Sequence, residues 1–197
     1  MGHKCFISFK HTAIKYKEAI QELNIDMIDK SLNDPINSEN EDYIMQKIRE
    51  DHLSDSTVTI CLICDRYAEN LHPYQADQTY VKRELQASLY NGKGNTRNGV
   101  LGIVLPAMTD RVYKGSYTCS TCGKKHLYVA IEDATTIKEF SYNYYPPLDD
   151  GKCAYADEDH YCVLVKWQDF INNPDKYIDQ AFDKRTAPIA YKVRVRP

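Results

Sequence analysis

Thr57-Val58-Thr59-Ile60-Cys61-Leu62-Ile63-Cys64 is apolar almost without interruption, and Gly99-Val100-Leu101-Gly102-Ile103-Val104-Leu105 repeats that character. A strand with one face in water alternates apolar and polar residues, whereas a continuous run rich in Val, Ile and Leu marks a strand buried on both faces. Lys4 to Phe9 and Ile25 to Asp29 are shorter runs of the same kind. Strands of this type need helices to cover them, and the intervening segments supply the pattern. Ala13, Tyr16, Ile20 and Leu23 form one apolar stripe at helical spacing on a charged stretch, which predicts a first crossover helix. Ser38-Glu39-Asn40-Glu41 has the form of a capping box, and Ile44, Met45 and Ile48 continue on one helical face. Asp65 to Thr79 is a polar loop. Tyr80 to Tyr90 then carries Val81, Leu85, Ala87, Ser88 and Leu89 as a third helix, closed by Asn91-Gly92.

Strand and helix alternating over residues 4–106 imply right-handed βαβ units and a parallel sheet covered on both faces. The expected fold class is therefore α/β, a flavodoxin-like doubly wound parallel sheet. From Ala107 to Cys162 the pattern changes to Tyr, Gly, Asp and Cys without a sustained period, and this stretch reads as an irregular, Cys-containing insertion. Asn173-Pro174 starts a further helix with Tyr177, Ile178, Ala181 and Phe182, because proline suits the first helical turn. Ile189, Tyr191, Val193 and Val195 alternate as an edge strand would. The predicted division is thus a core over 1–106, the insertion over 107–162, and a C-terminal helix and strand over 163–197 that complete the domain.

Composition narrows the function. Lys and Arg number 25 against 28 Asp and Glu, a net charge of -3. No basic stretch offers the footprint of a phosphate backbone, so nucleic acid is not the expected partner. No apolar run approaches the roughly 18 residues of a spanning helix. The start of the chain has no apolar h-region of a signal peptide, and Phe6 breaks a myristoylation pattern. The expectation is a cytoplasmic protein without membrane contact. Seven cysteines then read as free thiols or metal ligands rather than as a disulfide framework.

In open α/β sheets ligands bind beyond the carboxyl ends of the strands. The residues leaving those ends are Ser8, Phe9, Lys10 and His11 from the first strand, Asp29 and Ser31 from the second, and Asp65 and Arg66 from the third. Tyr80 and Glu84 follow one helical turn apart, on one face. Taken in order, Cys5-Phe6-Ile7-Ser8-Phe9, Asp29-Lys30-Ser31, Ser54 to Ile63 and Tyr80-Val81-Lys82-Arg83-Glu84-Leu85 resemble a TIR domain. More narrowly, roughly the first half of the chain is similar to the TIR-like sensor proteins of the bacterial Thoeris antiphage system, the ThsB type. No single motif carries this resemblance; the ordered set does.

The resemblance implies an NAD-cleaving enzyme of antiviral defence, a hydrolase or cyclase that breaks the bond between nicotinamide and ribose. It implies that the ADP-ribose part becomes a cyclic nucleotide signal for a separate effector, upon a phage-derived trigger, in assembled subunits of the same chain. The family's glutamate near the start of the helix after the third strand maps onto Glu84. The aromatic one turn earlier maps onto Tyr80, where relatives often carry Trp. Losing neutral nicotinamide leaves positive charge on the ribose C1 and ring oxygen, as in glycoside hydrolysis, so a nearby carboxylate stabilises the transition state. Phe6, Phe9 and Tyr80 are candidates to stack on nicotinamide or adenine, Ser8, Lys10 and Ser31 to meet phosphate or ribose oxygens, and Asp29 is a further substrate-binding candidate.

Each has a plainer alternative. Glu84 alone reads as a solvated helix residue, Phe6 and Phe9 as core and rim packing, Asp29 as a cap, and Lys10 and His11 as the start of a helix. A non-catalytic TIR-like binding or assembly module is the alternative for the whole chain. A two-component receiver domain needs an acidic cluster where this chain has Ser8-Phe9-Lys10, and a dinucleotide dehydrogenase needs a G-x-G-x-x-G that is missing after the first strand.

Cys5, Cys61 and Cys64 fall in apolar strands, where cysteine behaves as a small hydrophobe. Cys119-Ser120-Thr121-Cys122-Gly123-Lys124-Lys125-His126 looks instead like a zinc knuckle, in which a tight turn lets two thiolates reach one tetrahedral metal. With Cys119, Cys122 and His126 as ligands, the fourth is expected from Cys153, His160 or Cys162, with Cys153 first. A small tyrosine-rich insertion gains folding energy from such a clip; the alternative is reduced surface thiols.

Overall fold

The computed structural model of the protein describes residues 2–23, 25, 38, 40–53, 55–65, 76–92, 95–149 and 151–197. Among them the strands are β1 (Cys5–Ser8), β2 (Val58–Ile63), β3 (Gly99–Val104), β4 (Tyr113–Thr118), β5 (Lys125–Val129) and β6 (Val163–Lys166). The helices are α1 (Ile14–Gln21), α2 (Glu41–Ile48), α3 (Ala76–Leu89), α4 (Thr109–Val112), α5 (Lys138–Tyr144), α6 (Trp167–Asn172) and α7 (Pro174–Asp183). Apart from Ile25, the expected second strand and with it Asp29 and Ser31 lie outside the described residues.

β1, β2, β3 and β6 form one parallel sheet in that order, flanked by helices. This is the flavodoxin-like, TIR-like α/β arrangement that the continuous apolar runs required. β2 and β3 are buried along their whole length. The two faces can be told apart by residue. Thr59 and Gly102 look toward α3 and α5: Thr59 Oγ1 shares a 2.7 Å hydrogen bond with Ser88 Oγ, and a Cβ on Gly102 would lie 2.4 Å from the Phe140 ring. Gly99 looks the other way, where a Cβ would meet the Ala181 carbonyl oxygen at 1.9 Å. The backbone of α7 therefore rests directly on β3, and glycine is needed for that approach. No helix among the described residues is long and apolar enough to cross a membrane.

A buried polar chain fastens α3 to the sheet. Asn98 Nδ2 donates to Thr59 Oγ1 at 3.0 Å and to Ser56 Oγ at 2.8 Å, and Ser88 Oγ donates to the Glu84 carbonyl at 2.8 Å. Because the Ser88 proton is committed to Glu84, Thr59 is the donor in the Thr59–Ser88 bond. Tyr161, fully buried, donates to the Asn98 carbonyl at 2.6 Å.

Several expectations need correction. The N-cap of α2 is Asn40, whose side chain accepts from the Asp42 and Tyr43 N–H groups; Ser38 Oγ accepts from the Asn40 N–H. The third helix starts at Ala76 rather than Tyr80. The stretch 107–162 is not irregular: it holds α4, the antiparallel hairpin β4–β5 and α5. Its Val112, Ile131, Phe140, Tyr161 and Cys162 join the main core. β6, a run of only four residues, went unrecognised in the sequence. Ile189 to Val195 form no strand: Pro188 opens a 3-10 turn, Pro188–Lys192, that buries Ile189 and leaves Tyr191 76% exposed. The helix begun by Asn173-Pro174 is present as α7, with the Asn173 side chain accepting from the Lys176 N–H.

Candidate functional site

β1 sends Phe6 and Ser8 to the same face of the sheet, because side chains alternate along a strand. α3 passes over that face. Phe6 lies fully buried in a small cluster with Ile44, Ile48, Leu53 and Ala87. Ser8, two residues nearer the carboxyl end of β1, meets Glu84, which lies one turn before Ala87 on α3. Ser8 Oγ donates to Glu84 Oε2 at 2.7 Å, and Glu84 is only 6% exposed. Two residues 76 positions apart are thus joined at the carboxyl end of the first strand.

The electrostatics follow from burial. Taking a carboxylate out of water penalises its charged form, and this raises the Glu84 pKa from 4.5 to about 8; the Ser8 hydroxyl pulls in the opposite direction. At neutral pH the free protein therefore holds Glu84 as a neutral acid. A cationic ligand beside it favours ionisation, as any positive charge near a buried carboxyl does.

The other expected residues fall into three groups. Phe9 is half-buried at the rim of the main core, with Lys17 Nζ 5.3 Å from its ring centre. Lys10 is buried at the mouth of β1 and precedes the 3-10 turn His11–Ala13, its carbonyl accepting from the Ala13 N–H at 2.7 Å. Tyr80 is half-buried on α3, one turn before Glu84. Phe6, by contrast, has its ring closed in by α2 and α3 side chains, so in this structure it is a core residue. Asp29 and Ser31 lie outside the described residues. A second buried carboxyl, Glu139 on α5, faces α3 and accepts from Gln86 Nε2 at 2.7 Å; nothing in the sequence distinguished it from the surface acids around it.

A second cluster lies in the segment 107–162. The ligand atoms of Cys119, Cys122, His126 and Cys153 all lie within 4.8 Å of one another, and such a set can hold a metal ion such as zinc. Cys122 Sγ is 3.1 Å and Cys153 Sγ 3.8 Å from His126 Nε2. The N–H groups of Cys122 and Thr121 point at the Cys119 sulfur and hold its thiol down at about 6. Of the three residues considered for the fourth place, Cys153 is the one brought there. Cys162 is fully buried in the main core. The His160 ring stacks between Tyr144 and Tyr155, with Nδ1 against the Tyr144 carbonyl. All seven cysteines are free thiols.

No solved structure matches the chain. Residues 6–110 match the family described as Thoeris protein ThsB, TIR-like domain. That span contains β1 from Phe6 onward, β2, β3 and α3, and so both partners of the Ser8–Glu84 pair. Covering just over half of the protein and agreeing with the parallel sheet, the match shows that the chain belongs to the TIR-like domain family of the Thoeris protein ThsB.

Proposed function

We propose that the protein is an NAD-cleaving enzyme of bacterial antiphage defence, and that Glu84 is its catalytic carboxylate. The observation that carries this reading is the buried Ser8–Glu84 pair at the carboxyl end of β1, where open parallel sheets receive ligands, in a chain of the TIR-like family. A carboxyl in that position does two things for departure of nicotinamide. Once ionised it stabilises the cation developing on the ribose, and as an acceptor it holds ribose hydroxyls in place. NAD itself helps to ionise it, because the nicotinamide ring carries a positive charge.

Ser8 positions the carboxyl, Tyr80 offers a ring one turn away for stacking on a base, and Phe9 and Lys10 bound the mouth of β1. Ser31 keeps the ribose or phosphate role, and Asp29 a place in the substrate site, that the order of the chain suggests. The released ADP-ribose part is converted to a cyclic nucleotide that activates a separate effector, in response to a phage-derived trigger and in assembled subunits in the cytoplasm.

The near-complete burial of Glu84 also favours a second reading, a TIR-like module that binds and assembles without turnover, since a closed carboxyl touches no substrate. One comparison separates the two. Cells carrying the wild type or Glu84→Gln are infected with phage, and NAD and its products are followed by mass spectrometry. The enzyme reading expects Glu84→Gln to lower product formation by about a hundredfold or more, the usual loss on removing a charge aimed at the transition state. Equal product from the two proteins removes Glu84 from its role, and unchanged NAD in infected wild-type cells supports the module.

A further inference from the structure

We propose that Cys119, Cys122, His126 and Cys153 bind one structural zinc ion, which clips the β4–β5 hairpin to the segment around residue 153. The proposal is independent of the NAD reading, because the four residues lie beyond the family match.

The geometry is that of a tetrahedral site. With Zn–S near 2.3 Å and Zn–N near 2.0 Å, the edges of a ligand tetrahedron run ~3.5–3.8 Å. The two sulfur-to-imidazole distances, 3.1 and 3.8 Å, and the 4.8 Å limit on the whole set bracket those edges. The turn is built to present the thiolates. Cys119 N–H donates to the Lys124 carbonyl at 2.8 Å and Gly123 N–H to the Cys119 carbonyl at 2.9 Å. Gly123 takes a φ of +70°, a left-handed conformation that favours glycine. Reversing the chain in this way brings Cys119, Cys122 and, on β5, His126 to one point.

The donor set selects the metal. Three thiolates and an imidazole are soft to borderline ligands, suited to zinc and foreign to magnesium or calcium, which take oxygen. Four protein ligands close the coordination shell, and a closed shell means a structural rather than a catalytic ion. A disulfide between two of the cysteines would leave the third thiol and the imidazole unused. The adjacent Lys124 and Lys125 offset the surplus negative charge of three thiolates around a dication.

The fold supplies the need for the clip. Beyond Tyr113 every residue of β4 is exposed, and in β5 only Val129 is buried. A two-stranded hairpin of this kind is marginal in water. Its tip gains a tie to a separate segment through Cys153, next to Lys152, whose Nζ pairs with Asp159 at 2.5 Å. Anchoring Cys153 therefore also steadies Lys152, Asp157, Glu158 and Asp159, which help to wall a cleft of about 680 Å³ beside α7.

The test uses the full chain purified under reducing conditions without chelator. Elemental analysis is expected to find about one zinc per chain after exhaustive dialysis, and cobalt substitution to give the visible bands of a tetrahedral thiolate site. Cys153→Ser should weaken zinc binding at least about a hundredfold, the upper end of the loss seen when even an indirect support of a ligand is removed. Cys153→His, which restores a fourth ligand, should recover most of it. Failure of the wild type to hold zinc after refolding in its presence overturns the proposal, whatever the variants do. So does a Cys153→Ser protein that holds zinc as tightly as the wild type.

Discussion

β2 and β3 bury every residue between helices, whereas β4 and β5 expose nearly all of theirs. The sheet is held by apolar area removed from water, roughly 25 cal/mol per Å², and needs no added ion. The hairpin has little such area and offers three metal ligands at its tip instead, with Cys153 of a separate segment as the fourth. Each region also places its reactive groups according to its own physics. In the sheet, dryness turns Glu84 into a weak acid; at the hairpin tip, N–H groups turn Cys119 into a strong one. Burial and cross-linking are alternative ways to order a chain.

That contrast can be broken in four places. The largest effect is expected on chelation. Metal binding is worth on the order of 10 kcal/mol in isolated zinc-finger peptides, so removing zinc should abolish hydrogen-exchange protection across residues 113–129 while the amides of β2 and β3 keep theirs. Loss of protection in the sheet as well would mean that the two regions are one cooperative unit.

Next comes the pH dependence of stability. The folded pKa of Glu84, about 8, lies above the unfolded 4.5, so the folded state binds more protons between those limits. Stability from this group is complete below about 4.5 and is lost as pH rises toward 8, by on the order of 4 kcal/mol at about 1.4 kcal/mol per pKa unit. Glu84→Gln, which keeps an oxygen for the Ser8 hydroxyl, should therefore melt above the wild type at pH 8 and level with it at pH 4.

Gly102→Ala follows, at about 1–3 kcal/mol of destabilisation, because the new methyl would meet the Phe140 ring at 2.4 Å. Denaturant melts measure it, and a neutral result would show that α5 yields readily. The smallest effect belongs to Ser8→Ala. Removing the hydroxyl that favours the charged carboxyl should cost about 1–2 kcal/mol in the ionised state. On the proposed NAD-cleaving function, kcat/KM for NAD should rise toward alkaline pH as Glu84 ionises in the free protein, and Ser8→Ala should move that rise to still higher pH. An unmoved profile would mean that Glu84 is not the group being titrated.

Much of this was legible in the residues. Continuous apolar runs announced β1, β2 and β3, and Asn173-Pro174 announced α7, because burial on two faces and a proline at a helix start each leave a local mark. β4 and β5 left none: an exposed hairpin is defined by cross-strand pairing, not by apolar periodicity. The alternation of Ile189, Tyr191, Val193 and Val195 misled because Pro188 starts a turn and, among the described residues, no strand pairs with the segment. At the sheet end, the order of the chain made both Phe6 and Ser8 candidates for substrate contact, but only packing shows that Phe6 lies beneath α2 while Ser8 reaches Glu84. In the Cys/His cluster, Cys119, Cys122 and His126 were the most legible part, since C-x-x-C in a glycine turn carries its geometry within itself, whereas only the fold separates Cys153 from His160 and Cys162 for the fourth place.

The polar chain from Asn98 through Thr59 and Ser88 to the Glu84 carbonyl has a consequence for motion. Apolar ridges tolerate sliding by fractions of an ångström, but the two bonds that cross to α3, Thr59 to Ser88 Oγ at 2.7 Å and the Asn98 N–H to the Ser88 carbonyl at 2.8 Å, hold at one register of the helix and fail together at any other. Displacement of the helix is accordingly all-or-none, like a latch. Glu84 can meet solvent either by swinging its side chain while α3 stays locked or by release of the whole helix, and Tyr161 ties that same latch to the part of the chain beyond the TIR-like half.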